Sequence, residues 1–327
     1  MSQSSTREAT HAGSWYERRA DVLSRQLDEY LDRVPAATDG RDLPIPKARV
    51  IIAPHAGYSY SGPCAAWAYK SLDLRSAKRI FVLGPSHTYY LKGSALTTFT
   101  AYETPFGSLH VDQETIQALH STGKFSYIPP HSDEDEHSLE MHLPYIWKRL
   151  EQTHGDESAA WPSIVPILIG DNNAAKEKEF GALLAPYLQD PENAFVVSSD
   201  FCHWGTRFNY TKYVPGADRM GELKSLSRRD ARTETPIHEG IRILDQLAMD
   251  AVASGEHDKF VNNLSQTQNT VCGRHPIGVT MAALEVAAGG AVTEEKGKFT
   301  FLRYERSSLV ESVGDSSVSY AAAYAVI

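Results

Sequence analysis

Three histidines in this sequence each come just after an apolar, β-rich run of residues. The runs span residues 49–54, 79–86 and 195–202, and they precede His55, His87 and His203. Short apolar runs closed by Gly, Pro or Ser are typical of buried strands in a parallel sheet. The carboxyl ends of such strands line the ligand crevice of an open α/β sheet. The sequence therefore predicts three imidazoles at one edge of one sheet, where a metal site or an acid/base site could form.

The ligand types predict a mononuclear metal site. Such a site uses two or three strong protein ligands and keeps one position open. His55 and His87 are the best pair, since each follows a strand after a proline that stiffens the backbone. Neutral imidazoles leave the full charge on a divalent ion, so we expect an anionic ligand as well. The candidates are Asp200, Glu140 and the thiolate of Cys272.

Cys272 is the cysteine with the strongest case for a functional role. It precedes Gly273 at a predicted helix N-terminus, where the helix dipole should lower the pKa of the thiol. Cys64 and Cys202 lie in apolar surroundings that suit small buried hydrophobic residues. A chain of this length with three cysteines has no disulfide framework.

His203 is a candidate general acid or base. Asp200 lies three residues before it, and an aspartate beside a histidine can set its tautomer and raise its basicity. A satisfied polar pair at a strand end is the structural alternative. Glu140 and His142 lie around a helix start from which they could reach the rim of the crevice, and Trp15 could form an aromatic wall or pack as an ordinary indole.

Other charged and polar residues are assigned to the surface. The acidic run from Asp133 to Glu136 is expected to be a solvated loop before a helix. Five histidines in polar surroundings are expected to be exposed: His131, His137, His154, His238 and His257.

Composition excludes several classes of function. The 327 residues carry a formal net charge of −9, which argues against a nucleic-acid surface. No apolar run is long enough to span a bilayer, so we expect no membrane insertion. The N-terminus has no apolar segment of a secretory signal, which favours the cytoplasm, with the nucleus as a second compartment. No phosphate-binding glycine loop, Gly-x-Ser-x-Gly motif or His-Glu-x-x-His motif is present.

Strands and helices alternate along the chain, which predicts an α/β fold with a mostly parallel, helix-flanked mixed sheet in one domain. Two closing strands, at residues 299–304 and 318–326, have an alternating pattern that suits a sheet edge.

Several long blocks of the sequence resemble the Memo family, which is named for an animal mediator of receptor-tyrosine-kinase-driven cell motility. The blocks span residues 11–16, 53–58, 83–87, 133–138, 140–144, 198–205, 272–278 and 315–322. They are spread over nearly the whole chain, so we expect residues 1–327 to form a single domain of this type.

The resemblance implies a fold similar to that of class III extradiol dioxygenases, which are non-heme iron enzymes that open catechol rings. It implies a pocket in which His55, His87 and Cys272 bind a metal, with His203 and Asp200 lining it as catalytic residues. The candidate substrate-binding residues are Trp15, Ser86, Glu140, His142 and Arg274. Animal members are reported to bind iron or copper, to support redox chemistry and to recognise phosphotyrosine peptides.

One residue departs from the dioxygenase pattern. Those enzymes bind Fe(II) through two histidines and one carboxylate, which leaves positions open for substrate and O₂. The position that resembles the carboxylate is Cys272. A thiolate is softer, which moves the metal preference toward copper or zinc, and it is itself oxidised by oxygen. The pocket can persist, but the thiolate argues against ring cleavage.

Three functional hypotheses follow. The first is a metal-dependent oxidoreductase with iron or copper on His55, His87 and Cys272, with His203 as base and O₂ or a small phenolic compound as reactant. The second is a binding module that uses the same pocket for a phosphorylated peptide, with Arg274 as an additional positive donor. The third is a cysteine hydrolase with Cys272 as nucleophile and His203 as base.

Overall fold

The computed structural model describes residues 5–230, 232–293 and 295–327. Within these residues the chain forms ten α-helices and sixteen strands. The helices are α1 (Ala20–Asp32), α2 (Tyr58–Ser71), α3 (Gln113–Ser121), α4 (Pro130–Glu134), α5 (His137–Glu140), α6 (Leu143–His154), α7 (Ala174–Gln189), α8 (Ile237–Ala253), α9 (His257–Thr267) and α10 (Arg274–Ala287).

The strands are β1 (Thr6–Arg7), β2 (Ala37–Thr38), β3 (Arg41–Asp42), β4 (Ala48–Ala53), β5 (Arg79–Pro85), β6 (Ser94–Leu96), β7 (Ala101–Thr104), β8 (Gly107–His110), β9 (Phe125–Tyr127), β10 (Ser163–Ile169), β11 (Asn193–Ser198), β12 (His203–Trp204), β13 (Lys212–Tyr213), β14 (Lys224–Ser225), β15 (Phe299–Arg306) and β16 (Ser317–Val326).

One mixed sheet forms the centre of the fold, with strand order β12-β16-β4-β11-β5-β10-β6-β9 and β15 paired to β16. The four central strands, β4, β11, β5 and β10, run parallel to one another. Every residue of β4 and β11 is buried, as expected for strands covered by helices on both faces. The prediction of an α/β fold with a helix-flanked, mostly parallel mixed sheet is confirmed.

The parallel alignment brings the predicted strand ends together. Ile51 and Ile52 of β4 are in register with Val196 and Val197 of β11, which in turn pairs with β5. The segments that carry the candidate histidines therefore leave the sheet at one edge. His203 comes a little later, as the first residue of β12, which pairs with β16.

The final strand has a different position from the predicted one. β16 lies inside the sheet, antiparallel to β4 on one side and to β15 and β12 on the other. Nearly all of its residues are buried, because small alanines at 321–323 allow helix α2 to pack closely over it. Strand β15 occupies the edge instead.

Helices cover both faces of the sheet. Helix α2 packs on β4, β15 and β16, while α7 and α10 pack against each other and α10 against β11 and β5. The α7–α10 contact is close because Gly181 of α7 has no side chain, and a Cβ there would come within 2.7 Å of the Cβ of Ala282. Among the described residues, no helix is both long and apolar enough to span a membrane.

Candidate metal centre

His55 is held in one tautomer by a chain of two hydrogen bonds. The hydroxyl of Ser198 donates to the carbonyl oxygen of Ser138 at 2.7 Å, so it accepts the Nδ1–H of His55, which lies 2.6 Å away. Nε2 is then the unprotonated nitrogen, free to bind a metal. Burial lowers the pKa of His55 well below its ordinary value, which keeps the ring neutral.

His87 is oriented by the carboxylate of Glu136. Its Nδ1 lies 2.9 Å from Oε1 of Glu136, and its main-chain N–H donates to Oε2 at 2.6 Å. This is the carboxylate–histidine arrangement that supports metal-binding imidazoles, and it again leaves Nε2 as the free nitrogen. The pKa of Glu136 is lowered to about 2: burial opposes this shift, but bonds from His87 and the charge of His137 outweigh it.

Cys272 reaches the two histidines from the turn before helix α10. Its Sγ lies 3.1 Å from Nε2 of His55 and accepts the main-chain N–H of Asp200 at 3.2 Å. The following residue, Gly273, makes this approach possible, since a Cβ there would overlap the main-chain oxygen of Ser198 and the side chain of Ser199.

The pKa of the Cys272 thiol contradicts the sequence-based expectation. The helix N-terminus was expected to lower this pKa, but burial raises it well above its ordinary value, with the charge of Asp200 adding to the effect. A bound cation would favour the thiolate again, because metal binding releases the thiol proton. The thiolate form of Cys272 would therefore depend on a nearby cation.

The three side chains form one group with metal-ligand dimensions. One ligand atom each from His55, His87 and Cys272 lies within 4.8 Å of the others. The rings of His55 and His87 are nearly perpendicular, with centroids 5.0 Å apart. Two imidazoles and one thiol are ligands that suit iron, copper or zinc.

His203 and Asp200 lie beside this group, and with Cys272 they form a second set of ligand atoms within 4.8 Å of one another. Their relationship differs from the predicted one. The Nδ1–H of His203 is held by the carbonyl oxygens of Phe201 at 2.9 Å and Thr270 at 3.2 Å. Main-chain carbonyls, and not Asp200, therefore set the tautomer of His203 and leave Nε2 available.

Asp200 has a different task. Its Oδ1 accepts the main-chain N–H of His55 at 2.9 Å, which ties the turn after β4 to the turn after β11. Burial raises the pKa of Asp200. The side chain therefore positions the loop that carries His55.

His137 belongs to the site although it was assigned to the surface. Its ring stacks on that of His87 with centroids 4.5 Å apart, and Trp15 stacks on its other side at 4.3 Å. Burial is the main reason why its pKa is lowered to about 4. His257 is also wrongly assigned, since it is fully buried against Glu177.

The acidic run before α5 is likewise not a solvated loop. Asp133 and Glu136 are buried, and only Glu134 and Asp135 remain partly or fully exposed. Asp133 accepts hydrogen bonds from Arg7 and from the hydroxyl of Tyr102. The two buried acids are three positions apart, with the two more exposed acids between them.

Two predicted substrate-binding residues are enclosed in the protein interior. Glu140 is completely buried, and its oxygens accept hydrogen bonds from Arg7, His11 and Tyr16. His142 is also completely buried, with Nδ1 2.7 Å from the hydroxyl of Tyr69, and burial lowers its pKa to about 3. Neither side chain is open to a substrate.

The other three predicted substrate-binding residues lie in different places. Trp15 is about a third exposed, with 36% of its surface accessible, and it lines a cleft of about 530 Å³. The hydroxyl of Ser86 donates to the main-chain oxygen of Tyr89, so it serves its own loop. Arg274 opens onto a separate cavity on the other side of the Cys272 turn.

The cleft next to Trp15 adjoins the candidate metal centre. Its further lining residues are Ala56, Tyr60, Arg207, Phe208, Ser307, Ser308, Ser316, Ser317, Val318 and Tyr320. Trp15 contacts His137. The rings of Phe208 and His203 pack edge to face, with centroids 5.2 Å apart. Sequence reasoning missed Arg207 and Phe208, because nothing in the local pattern of this polar segment marks it.

This chain is similar to known proteins along nearly its whole length. A family profile described as Memo-like protein matches residues 7–324. Protein MEMO1 from Xenopus laevis is 45% identical over 322 residues, which cover 98% of this chain and 97% of that protein. Protein MEMO1 from Homo sapiens is 44% identical over 317 residues, covering 97% and 96%. MEMO1 family protein MHO1 from Saccharomyces cerevisiae is 41% identical over 345 residues, covering 99% of each.

A solved structure also aligns with the fold. The crystal structure of uncharacterized protein JW3007 from Escherichia coli K12 has a TM-score of 0.41 and 15% identity, covering 83% of this chain and 98% of that chain. This likeness is too low to bear on function.

Proposed function

This chain belongs to the Memo family, and on that premise we propose that it is a metal-dependent redox protein, with iron or copper bound by His55, His87 and Cys272. We propose further that residues 1–327 act as one domain. The supporting observation is the hydrophobic core around the sheet, which includes residues from Ala12 to Ala325.

The observation that carries the metal proposal is the orientation of the two imidazoles. Ser198 and Glu136 each engage the Nδ1 atom of one ring, so both Nε2 atoms are left for the same small volume. A pair of histidines packed by chance would not be expected to have both rings fixed by separate acceptors in this way. Cys272 supplies the negative charge that a divalent cation requires.

The residues around the centre perform distinct tasks in this proposal. A redox-active ion, when bound, supplies one-electron exchange with O₂ or a small reducing compound. His203 takes up or gives a proton at Nε2, since its Nδ1 proton is held by two carbonyls. Trp15 and His137 cover the rings of the ligands and limit the access of water. Asp200 holds the His55 loop in place.

Ring cleavage is not part of the proposal. The thiolate takes the position that a carboxylate has in the extradiol enzymes, and it moves the preference toward softer ions. The hydrolase hypothesis has less support, because the buried thiol has a raised pKa and lies against His55. Zinc is the redox-inactive alternative.

Elemental analysis tests the metal proposal most directly. The protein is purified without chelator and without an affinity metal, beside Cys272→Ser and His55→Ala. Cys64→Ala and His131→Ala serve as matched controls, since Cys64 is buried far along α2 and His131 is exposed. We expect about one iron or copper ion per chain in the wild type and the controls, and a large loss in both test variants. Equal metal content in all five proteins would reject the site.

Binding of a phosphorylated peptide is a second candidate function, favoured by the cleft beside the metal centre. Arg207 lines this cleft, and its guanidinium carbon lies 4.6 Å from the centroid of the Phe208 ring. Arg207 has no carboxylate partner among the described residues. Serine hydroxyls and Tyr60 add polar contacts on the same cleft. Arginine beside aromatic rings is a common arrangement for recognising phosphate on a side chain.

Calorimetric titration with a phosphotyrosine peptide tests this candidate. We expect the wild type to release or absorb heat on binding this peptide. Arg207→Gln should lower the affinity at least about tenfold, since a charge-assisted hydrogen bond is lost. The unphosphorylated peptide is the control. Absence of binding to the wild type, or equal binding of both peptides, would reject it.

A further inference from the structure

A separate cavity of about 640 Å³ lies between the first turns of α7 and α10 and one side of α9. We propose that it is a second ligand site, which binds a small organic anion. The ligand class is a carboxylate or phosphate ester on an apolar body. None of the three proposed metal ligands lines this cavity, so the inference does not depend on the proposed function.

The positive end of the site is Arg274. This residue lines the cavity, is exposed, and has no carboxylate partner among the described residues. Arg274 is the first residue of α10, and Ala174 on the opposite wall is the first residue of α7. The N-terminal dipoles of both helices add to the attraction for an anion, although some of their N–H groups are already capped: that of Lys176 by Asn173 Oδ1 and that of Arg274 by the main-chain oxygen of Val271.

The carboxylates near the cavity do not cancel this charge. Glu177 is buried and accepts hydrogen bonds from Nε2 of His257 at 2.7 Å and Nδ1 of His275 at 2.6 Å. Its charge is therefore engaged by two imidazoles. Asp171 does not line the cavity; its side chain is 64% exposed, 3.5 Å from Nε2 of His275, and solvent screens its charge.

The opposite wall is apolar. Phe260, Val261 and Leu264 of helix α9 face the cavity. Val261 and Leu264 remain partly exposed, although a helix of this kind normally turns such residues into the core. This wall would cover the apolar body of a ligand and remove it from water.

Two buried amides also line the cavity, but their oxygens do not reach it. Asn172 and Asn269 both line the cavity, with only 8% and 4% of their surfaces exposed. The Nδ2 of Asn172 donates to the carbonyls of Gly93 and Gly170, and that of Asn269 donates mainly to Asp245. The Oδ1 atoms of both amides have no hydrogen-bond partner and are shielded from the cavity. The anion is therefore assigned to Arg274 and the helix N-termini, and not to these amides.

Calorimetry with a matched set of probes tests the site. Metal-free protein is titrated with benzoate, which has the charge and the ring, and then with phenol, which has the ring without the charge. We expect benzoate to bind more tightly than phenol. Arg274→Gln should weaken binding by about tenfold or more, because a charge-assisted bond is lost. Arg207→Gln, which changes the arginine of the other cleft, should leave it unchanged.

Three results would overturn the proposal. The first is equal affinity of the wild type and Arg274→Gln, and the second is loss of binding in Arg207→Gln instead. The third is no binding to the wild type at ligand concentrations of about 5 mM, because an affinity that weak does not fit a built site. Arg274→Lys keeps the positive charge but removes the planar guanidinium, so an intermediate affinity would support a bidentate contact by the arginine. Because the side chain is exposed, we expect this variant to fold normally.

Discussion

The sulfur of Cys272 lies 3.1 Å from Nε2 of His55, although 217 positions separate the two residues along the chain. The turn after β4 carries the histidine, and the turn before α10 carries the cysteine. Both turns meet over the end of β11, where Ser198 bonds the histidine ring and where Gly273 leaves room for the cysteine turn. The contact therefore depends on a small residue as much as on the two ligands.

Gly273→Ala should disrupt the centre without changing a ligand. The new Cβ would overlap the main chain of Ser198, so the Cys272 turn has to move. We expect metal affinity to fall about tenfold or more, with a stability cost of about 1–3 kcal/mol from overpacking. Metal titration and urea unfolding measure the two effects. Gly221→Ala is the control, since nothing lies within 4 Å of a Cβ at that position. Normal metal affinity in Gly273→Ala would contradict this reading of the turn.

Glu136→Gln should weaken metal binding through His87. The amide loses the charge that orients the ring, and its NH₂ group faces main-chain N–H groups of His87 and Ser138 that need an acceptor. Loss of such a supporting carboxylate typically costs about 10–100-fold in metal affinity. Competition with a chromogenic chelator measures it. Glu134→Gln, a partly exposed acid two residues earlier, is the comparison, and similar affinities for the two variants would argue against the predicted role.

Arg7→Met should destabilise the protein strongly. Arg7 is completely buried and bonds Asp133 at 3.1 Å and Glu140 at 2.7 Å. Removing it leaves two buried carboxylates without their cation, which costs about 3–5 kcal/mol. Chemical denaturation checks the value. Arg19→Met, which breaks an exposed pair with Asp21, should change stability by less than about 1 kcal/mol. Comparable losses of stability in the two variants would contradict the prediction that the buried ion pairs contribute more than the exposed one.

The buried His142 should make the stability of the protein depend on pH. Burial lowers its pKa from 6.5 to about 3 in the native state, so between these values the unfolded chain binds a proton that the native chain does not. Stability should therefore fall as the pH decreases from about 6.5 to about 3, with a slope that approaches about 1.4 kcal/mol per pH unit for this group.

The His142→Gln variant isolates that contribution. Urea unfolding of metal-free wild type and variant is compared at several pH values within this window. We expect the wild type to lose more stability than the variant on acidification, because only the wild type has this histidine. Parallel curves for the two proteins would show that His142 does not titrate differently in the two states.

The sequence alone predicted the scaffold and named the three candidate ligands that the structure brings together. Apolar runs bounded by Pro, Gly and Ser located strands β4, β5 and β11, because burial of a parallel strand on both faces leaves a continuous local signal. The histidines that follow β4 and β5 were identified from the same local pattern, whereas the family resemblance implied the choice of Cys272 among three anionic candidates. The position of β16 was not identified, since alternation in its sequence does not say which strands will pair with it.

Tertiary structure alone decided the environment of each charged group. Asp133 and Glu136 appear solvated in the sequence, yet residues from distant segments, Arg7 and His87, enclose them. The thiol of Cys272 has a local helix N-terminus that lowers its pKa, but burial by the rest of the fold outweighs it. Backbone preferences act between near neighbours and are visible in a sequence. Desolvation and charge pairing depend on residues brought together only by folding, and these determine what each polar side chain can do.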